Sequence, residues 1–131
     1  MANKKRSRKT ATGCCPPKPA IVERPLIATP QAADLAGLFK VFSNETRLRL
    51  LHALVRAGEL RVTDLAAAVG MTPQAVSNQL QRLADKGIVE ARRDGNNMVY
   101  RIADPCVPAL LDQGMCLLED AEARTRVEVR G

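Results

Sequence analysis

Apolar side chains recur every three or four residues along much of the chain after residue 29, a spacing that predicts amphipathic helices. The first predicted helix is capped at Thr29-Pro30 and runs to about Phe42. The second runs from about Glu45 to Ala57 and ends at Gly58. Their expected apolar faces are Leu35, Leu38, Phe39 and Phe42 in the first helix, and Leu48, Leu51, Leu54 and Val55 in the second.

A tight turn, Gly70-Met71-Thr72-Pro73, joins two further predicted helices. Gly70 can take the left-handed conformation that ends a helix beginning near Thr63. Thr72 can cap the next helix, Pro73 to Lys86, and Pro73 is preset for its first position. This last helix is expected to bury Ala75, Val76, Leu80 and Leu83, and to turn outward Gln74, Ser77, Asn78, Gln79, Gln81 and Arg82.

The pattern after this helix pair changes to short extended segments. A stop at Gly87 precedes two strands, Ile88 to Arg93 and Met98 to Ile102, which flank the hairpin turn Asp94-Gly95-Asn96-Asn97. A short extended piece, Glu59 to Val62, is also expected before the helix pair. The fold class predicted is therefore mainly α with a small β-hairpin, in the order of a winged helix-turn-helix.

A terminal helix is predicted from Asp104-Pro105 to about Glu122, and residues 124–131 are expected to be a frayed tail. Residues 1–30 are predicted to be a flexible, basic, proline-rich arm that carries a cysteine pair. Residues 31–123 then form the domain for DNA binding and dimerisation. The apolar positions of the terminal helix are Val107, Leu110, Leu111, Cys116 and Leu117.

Composition limits the class of protein. Hydrophobic residues make up 46% of the 131-residue chain and aromatic residues only 2%, so Leu, Val and Ala must pack the core of one domain. We find neither an apolar run long enough to span a membrane nor the pattern of a signal peptide, and we expect a cytoplasmic protein without membrane partners. One His, one Tyr and the lack of a glycine-rich phosphate loop leave no nucleophile–base pair, so an enzyme is not expected.

Charge is distributed unevenly along the chain. The net charge of +6 comes entirely from residues 1–30, with seven basic side chains and one acidic, while the rest of the chain is neutral overall. The predicted second helix of the pair and the hairpin are locally basic, whereas residues 105–123 carry acidic side chains and no Lys or Arg. A basic surface on the helix and hairpin is typical of a DNA-binding protein.

Three segments together resemble the ArsR/SmtB family of metal-responsive repressors. They are residues 38–51 (LFKVFSNETRLRLL), 75–80 (AVSNQL) and the hairpin 91–102 (ARRDGNNMVYRI), within a resemblance that covers roughly residues 32–120. The resemblance implies a homodimer that pairs through its first and last helices, represses metal-resistance genes and leaves operator DNA when metal binds.

Two positions depart from the family pattern. The family often has His where this chain has Gln79, so contacts with DNA at this position differ. Its familiar Cys-x-Cys metal site follows a Glu-Leu pair, but here Glu59-Leu60 is followed by Arg61-Val62-Thr63. The metal ligands must therefore lie elsewhere.

The remaining cysteines are the candidate ligands. With no export signal they are expected to be thiols or metal ligands rather than disulfides. Two of them lie ten residues apart, about 15 Å along one helix, so they cannot hold one ion within a protomer. The family pairing of last helices brings such positions level across two protomers, and an adjacent pair on the arm resembles that of some arsenic-sensing members. The predicted ligands are Cys14, Cys15, Cys106 and Cys116.

Thiolate ligands favour soft ions, so mercury, arsenic (as arsenite), cadmium or lead is the expected effector ahead of zinc. Asp104 and Glu119 lie near positions where some family members have oxygen or nitrogen ligands, although a helix cap and a solvated carboxylate explain them as well. For the cysteines of the last helix, the alternative is a role as small apolar residues of a dimer core.

The DNA-contacting residues expected in the major groove are Thr72, Gln74, Ser77, Asn78, Gln79 and Arg82. Those expected on phosphates or in the minor groove are Arg92, Arg93 and Arg101. Two alternatives share this fold: a repressor switched by thiol oxidation, and an architectural DNA-binding protein with no effector. For Arg47 and Arg49, a salt bridge and a phosphate contact are both open.

Overall fold

The computed structural model describes residues 17–130. Between these residues it contains five α-helices, three strands and one 3-10 turn at Ile21–Glu23. In chain order the elements are α1 (Thr29–Phe42), α2 (Glu45–Ala57), β1 (Glu59–Arg61), α3 (Val62–Val69), α4 (Pro73–Asp85), β2 (Val89–Asp94), β3 (Asn97–Ile102) and α5 (Cys106–Arg130).

Helix α2 forms the centre of the core. The Asn44 side chain caps it by accepting a hydrogen bond from the backbone N–H of Arg47 at 3.0 Å, and Gly58 ends it with a φ of 90°. The predicted apolar face was partly wrong: Leu48 and Val55 are 37% and 38% exposed. The buried face is rotated toward Leu50, a position that the prediction omitted. The fully buried side chains of α2 are Leu50, Leu51 and Leu54.

The helix-turn-helix prediction is confirmed at its turn. Gly70 adopts φ 71° and ψ 38°, the left-handed conformation that ends α3, and the Met71 N–H donates to the Ala66 carbonyl at 3.0 Å. The Thr72 hydroxyl accepts from the Ala75 N–H at 3.2 Å and so caps α4, with Pro73 in its first turn. Helix α3 begins at Val62 and α4 ends at Asp85, each one residue from the predicted limit.

Three strands, rather than the predicted two, form the wing. The order is β1-β3-β2 and every neighbouring pair is antiparallel. The piece before α3 was predicted only as extended, and it is a strand of the sheet, with Leu60 opposite Tyr100 in β3. The hairpin closes at the pair Asp94–Asn97, and Gly95 takes a φ of 65° in the two-residue turn between them.

Helix α5 is longer than predicted. The predicted end near Glu122 was wrong, because the helix continues to Arg130. The stretch from Pro105 onward separates from the rest of the described chain as its own compact unit, and the winged helix belongs to the unit that ends at Asp104. In the part of the chain that the structure describes, no helix combines the length and apolar character that spanning a membrane requires.

Large apolar side chains remain exposed on the first and last helices. On α1, Leu35 and Phe39 are 42% and 48% exposed, while Phe42 is buried. On α5 the exposed apolar side chains are Leu110, Met115, Leu117, Leu118 and Val127.

Candidate nucleic-acid interface and thiol positions

The outer side of α4 carries the polar residues that the sequence assigned to it. Val76, Leu80 and Leu83 are fully buried, so the opposite side of the helix is turned to solvent. Of the predicted major-groove residues, Thr72, Gln74, Asn78 and Arg82 are exposed, and Ser77 and Gln79 are half-buried. The structure therefore brings all six together on α4 and the turn residue that caps it.

Three amide side chains on α4 take part in two pairs along the helix. Gln74 Nε2 donates to Asn78 Oδ1 at 3.2 Å, and Gln81 Nε2 donates to Asp85 Oδ1 at 2.9 Å. Both pairs are exposed and span one turn. Because water competes for such contacts, these side chains can exchange their partners for base edges at little cost.

Arg47, on α2, links α4 to α1. Its Nη1 donates to Gln79 Oε1 at 2.9 Å, and its Nε donates to the Val41 carbonyl at 2.7 Å. The sequence left a salt bridge and a phosphate contact open for Arg47. Among the described residues it makes no ion pair, and its guanidinium is used within the fold.

Two wing arginines that were predicted to contact DNA are paired with carboxylates. Arg92 Nη2 lies 2.6 Å from Glu59 Oε1, and Arg101 Nε donates to Glu90 Oε1 at 2.6 Å. Register explains the second pair, because Glu90 and Arg101 are direct cross-strand partners. Sequence reasoning missed Glu59 and Glu90, since neither pairing is visible before the strands are aligned.

Arg82 and Arg93, which were also predicted to contact DNA, are not paired in this way with carboxylates among the described residues. Arg82 and Arg93 are exposed, and neither makes an ion pair within residues 17–130. Arg82 lies on the outer part of α4 and Arg93 near the tip of the wing. Their charges are the ones most available to phosphates without breaking an existing contact.

A third ion pair lies at the start of α3. Arg61 Nε and Nη2 donate to the two carboxylate oxygens of Asp64 at 3.0 and 3.3 Å. These hydrogen bonds, helped by the positive charge, hold the pKa of Asp64 below its ordinary value, and the same contact raises the pKa of Arg61. The pair joins the end of β1 to the first turn of α3.

The thiols of α5 are placed as predicted, on one helix and ten residues apart. Cys106 is half-buried at the first position of α5, and Cys116 is exposed, with its Sγ 4.0 Å from Asp120 Oδ2. Cys14 and Cys15 lie outside the described residues. Within residues 17–130 no three His, Cys, Asp or Glu side chains are grouped closely enough to hold a metal ion, and that includes Asp104 and Glu119.

Comparison with known proteins identifies the class. A model described as "MarR family" matches residues 44–97, which run from the cap of α2 to the start of β3. The HTH-type transcriptional regulator NmtR of Mycobacterium tuberculosis is 42% identical over 84 residues, which cover 64% of this chain and 69% of that protein.

Solved structures extend the likeness to the whole winged helix. The AntR antimony-specific transcriptional repressor is 61% identical, with a TM-score of 0.71, and the match covers 83% of this chain and 98% of that one. A homodimeric winged helix-turn-helix DNA-binding domain from Mycobacterium bovis, described as a possible ArsR-family regulator, is 32% identical with a TM-score of 0.66. That match covers 76% of this chain and 94% of the other.

The residues matched by the family model, 44–97, include the capped turn before α4 and the whole of that helix. These likenesses confirm the predicted fold and a class of transcriptional regulators rather than enzymes. The chain belongs to the ArsR/SmtB family of winged-helix DNA-binding transcriptional repressors.

Proposed function

We propose that this protein is a homodimeric repressor that leaves its operator when a thiophilic ion binds cysteine thiolates. The observation that carries the proposal is the 61% identity with an antimony-specific repressor, over 98% of that chain. It favours trivalent antimony as the effector, with arsenite as the nearest chemical analogue among the ions expected from the sequence. The same proposal places the protein in the cytoplasm with the DNA that it regulates.

Contact with DNA is assigned to α4 and the wing. The outer side of α4 offers donors and acceptors for base edges in the major groove, namely Thr72, Gln74, Ser77, Asn78, Gln79 and Arg82. The wing offers Arg92, Arg93 and Arg101 to phosphates or the minor groove. The two ion-paired wing arginines would exchange a carboxylate for a phosphate, whereas Arg93 has no such partner to lose in the described part of the chain.

Dimerisation through the first and last helices is supported by the large apolar side chains that remain exposed on α1 and α5. Leu35 and Phe39 on α1, and Leu117 and Leu118 on α5, expose 42%, 48%, 65% and 62% of their surfaces. Apolar surface costs about 25 cal/mol for each Å² left in water, so a second copy that covers it is stabilised. A dimer also presents two α4 helices to two half-sites of an operator.

The ion site requires more than one segment of chain. Cys106 and Cys116 are about 15 Å apart along α5, far beyond the reach of one ion. Pairing of α5 from two protomers brings Cys106 of one copy toward Cys116 of the other, and Cys14 and Cys15 supply further thiolates. Thiolates from separate segments match the preference of trivalent antimony and arsenic for soft ligands.

Release then follows from differential binding. Switching an operator from 99% to 1% occupancy requires about 5.5 kcal/mol of difference between the two states of the dimer. Bonds between ion and sulfur that cross the dimer can supply this energy by changing the spacing of the two α4 helices.

The proposal is tested by fluorescence anisotropy on a duplex selected from a randomised library, with fully reduced protein. Antimonite, arsenite, mercuric, cadmium, lead and zinc ions are added separately. We expect release by antimonite and arsenite at the lowest concentrations and weak release by zinc. A variant with all four cysteines changed to Ser is the matched control and should bind the same duplex without responding. Equal release of this variant would overturn the thiolate mechanism.

A further inference from the structure

The contact between Arg47 and Gln79 fixes which way the Gln79 amide faces. A guanidinium has donors and no acceptor, so the atom 2.9 Å from Arg47 Nη1 must be the amide oxygen. The amide nitrogen of Gln79 consequently lies on the side of the amide group that is turned away from Arg47. The Gln74–Asn78 pair lacks this property, because two amides satisfy each other equally well after both are reversed.

Arg47 is itself held in place. Its Nε donates to the carbonyl of Val41 at the end of α1 at 2.7 Å, and its backbone N–H donates to the Asn44 cap of α2 at 3.0 Å. Both Arg47 and Gln79 are half-buried, which restricts their alternative rotamers. The Gln79 amide is thus oriented by the fold before any DNA arrives.

The free side of this amide carries donors. Gln79 Nε2 has no hydrogen-bond partner among the residues that the structure describes, and it lies on the helix whose outer side carries the proposed DNA contacts. Glutamine reads adenine by presenting oxygen and nitrogen together to the base edge. With its oxygen turned to Arg47, Gln79 is not arranged for that bidentate contact.

We propose that Arg47 is a positioning residue that makes Gln79 a donor-only contact to DNA. Such a contact selects an acceptor: O6 or N7 of guanine, O4 of thymine, or a phosphate oxygen. Adenine also has an acceptor at N7, but its neighbouring N6 amino group is a second donor, so a donor-only side chain disfavours adenine. This inference deepens the proposed function and rests on it. It assigns a part in sequence preference to Arg47, a half-buried residue of α2 that is not itself a proposed DNA contact.

The test is selection from a randomised duplex library followed by sequencing of the bound fraction. The proteins are the wild type, Arg47→Met, Gln79→Met and the double variant, with Arg56→Met as the matched control. Arg56 is exposed on the same helix as Arg47 and makes no hydrogen bond or ion pair in the described range. Thermal unfolding of each variant verifies that it is folded.

We expect the wild type to prefer guanine or thymine at one position in each half-site. Gln79→Met and Arg47→Met should each weaken that preference by about threefold to tenfold, the range for one hydrogen bond. In the Gln79→Met background, adding Arg47→Met should change the preference no further, and Arg56→Met should match the wild type. If the acceptor is a phosphate, Gln79→Met and Arg47→Met instead lose affinity equally for all sequences.

Two results overturn the inference. One is a folded Arg47→Met protein with the wild-type preference and affinity. The other is an adenine preference in the wild type that depends on Gln79. Either result leaves the proposed repressor function intact, whereas a wild-type protein that enriches no sequence at all contradicts that function instead. If Arg47→Met does not fold, Arg47→Gln replaces it. An amide side chain offers both donors and an acceptor, so it no longer fixes the direction of the Gln79 amide, and the same expected and overturning results apply.

Discussion

Arg92 Nη2 and Glu59 Oε1, 33 positions apart in the sequence, meet at 2.6 Å and join the two outer strands of the wing. Strand β3 lies between them, and its Val99, opposite Arg92, is buried on the same side of the sheet. The ion pair therefore crosses the sheet diagonally. It also neutralises a charge that was assigned to DNA phosphates, so carboxylate and phosphate compete for Arg92.

Removing that competition should strengthen DNA binding. Glu59→Gln keeps the size of the side chain but frees the Arg92 charge, and we expect tighter binding at low salt. The slope of log affinity against log salt concentration should become steeper by about 0.9 if one more phosphate is neutralised. Because the pair is about half exposed, the free energy of unfolding should fall by no more than about 1 kcal/mol. Anisotropy titrations over a range of salt concentrations measure the slope.

A matched control for this charge change is Glu45→Gln. Glu45 is exposed on α2 and has no ion pair in the described part of the chain. Its replacement should leave the slope at the wild-type value. An unchanged slope in Glu59→Gln would place Arg92 away from the DNA.

The exposed apolar side of α1 predicts where dimerisation is sensitive. Phe39 is 48% exposed, so Phe39→Glu costs the protomer little but places a charge in the proposed interface. We expect the mass from sedimentation equilibrium to fall from twice 14.2 kDa to 14.2 kDa. Val55→Glu, at a position 38% exposed on α2, is the control and should stay dimeric. A dimeric Phe39→Glu protein argues against an interface on α1.

The four thiols are expected to act as one set. Replacement of Cys106, Cys116 or the Cys14-Cys15 pair by Ser should each lower antimonite affinity by at least tenfold, because loss of one thiolate leaves an incomplete site. Glu119→Gln, at an exposed carboxylate on the same helix, should leave the affinity unchanged. Counting bound ions per dimer in each variant identifies the thiols that share a site. Wild-type affinity in Cys116→Ser would remove that residue from the set.

The Arg61–Asp64 pair predicts a dependence of stability on pH. Its hydrogen bonds lower the pKa of Asp64 in the folded protein, so the stabilisation is complete above the ordinary carboxyl pKa of about 3.9 and is lost as pH falls through the folded value. Asp64→Asn lacks this contribution. In urea unfolding, the free energy of unfolding of the wild type should exceed that of Asp64→Asn at neutral pH. This gap should close as the pH falls below 4. A gap that is independent of pH would mean that the ionised carboxylate is not the cause.

Local signals were sufficient for the helix-turn-helix. Gly70 and Thr72 act on their own turns through φ and a cap, so the sequence around them determines the outcome. The pairing of β1 with β3 and the contact between Arg47 and Gln79 join residues more than 30 positions apart, and no local pattern encodes them. The length of α5 was underestimated because its end was placed near Glu122, although no Gly or Pro interrupts the chain between that residue and Gly131.

The most direct test of the account is a titration of antimonite into the reduced complex of protein and operator duplex, with two signals followed in the same cuvette. Absorbance of the bond between thiolate and metalloid reports occupancy of the site, and anisotropy of the labelled duplex reports release. We expect both signals to change together and to reach their plateaus at the same number of ions per dimer. Full absorbance with the duplex still bound would contradict this expectation.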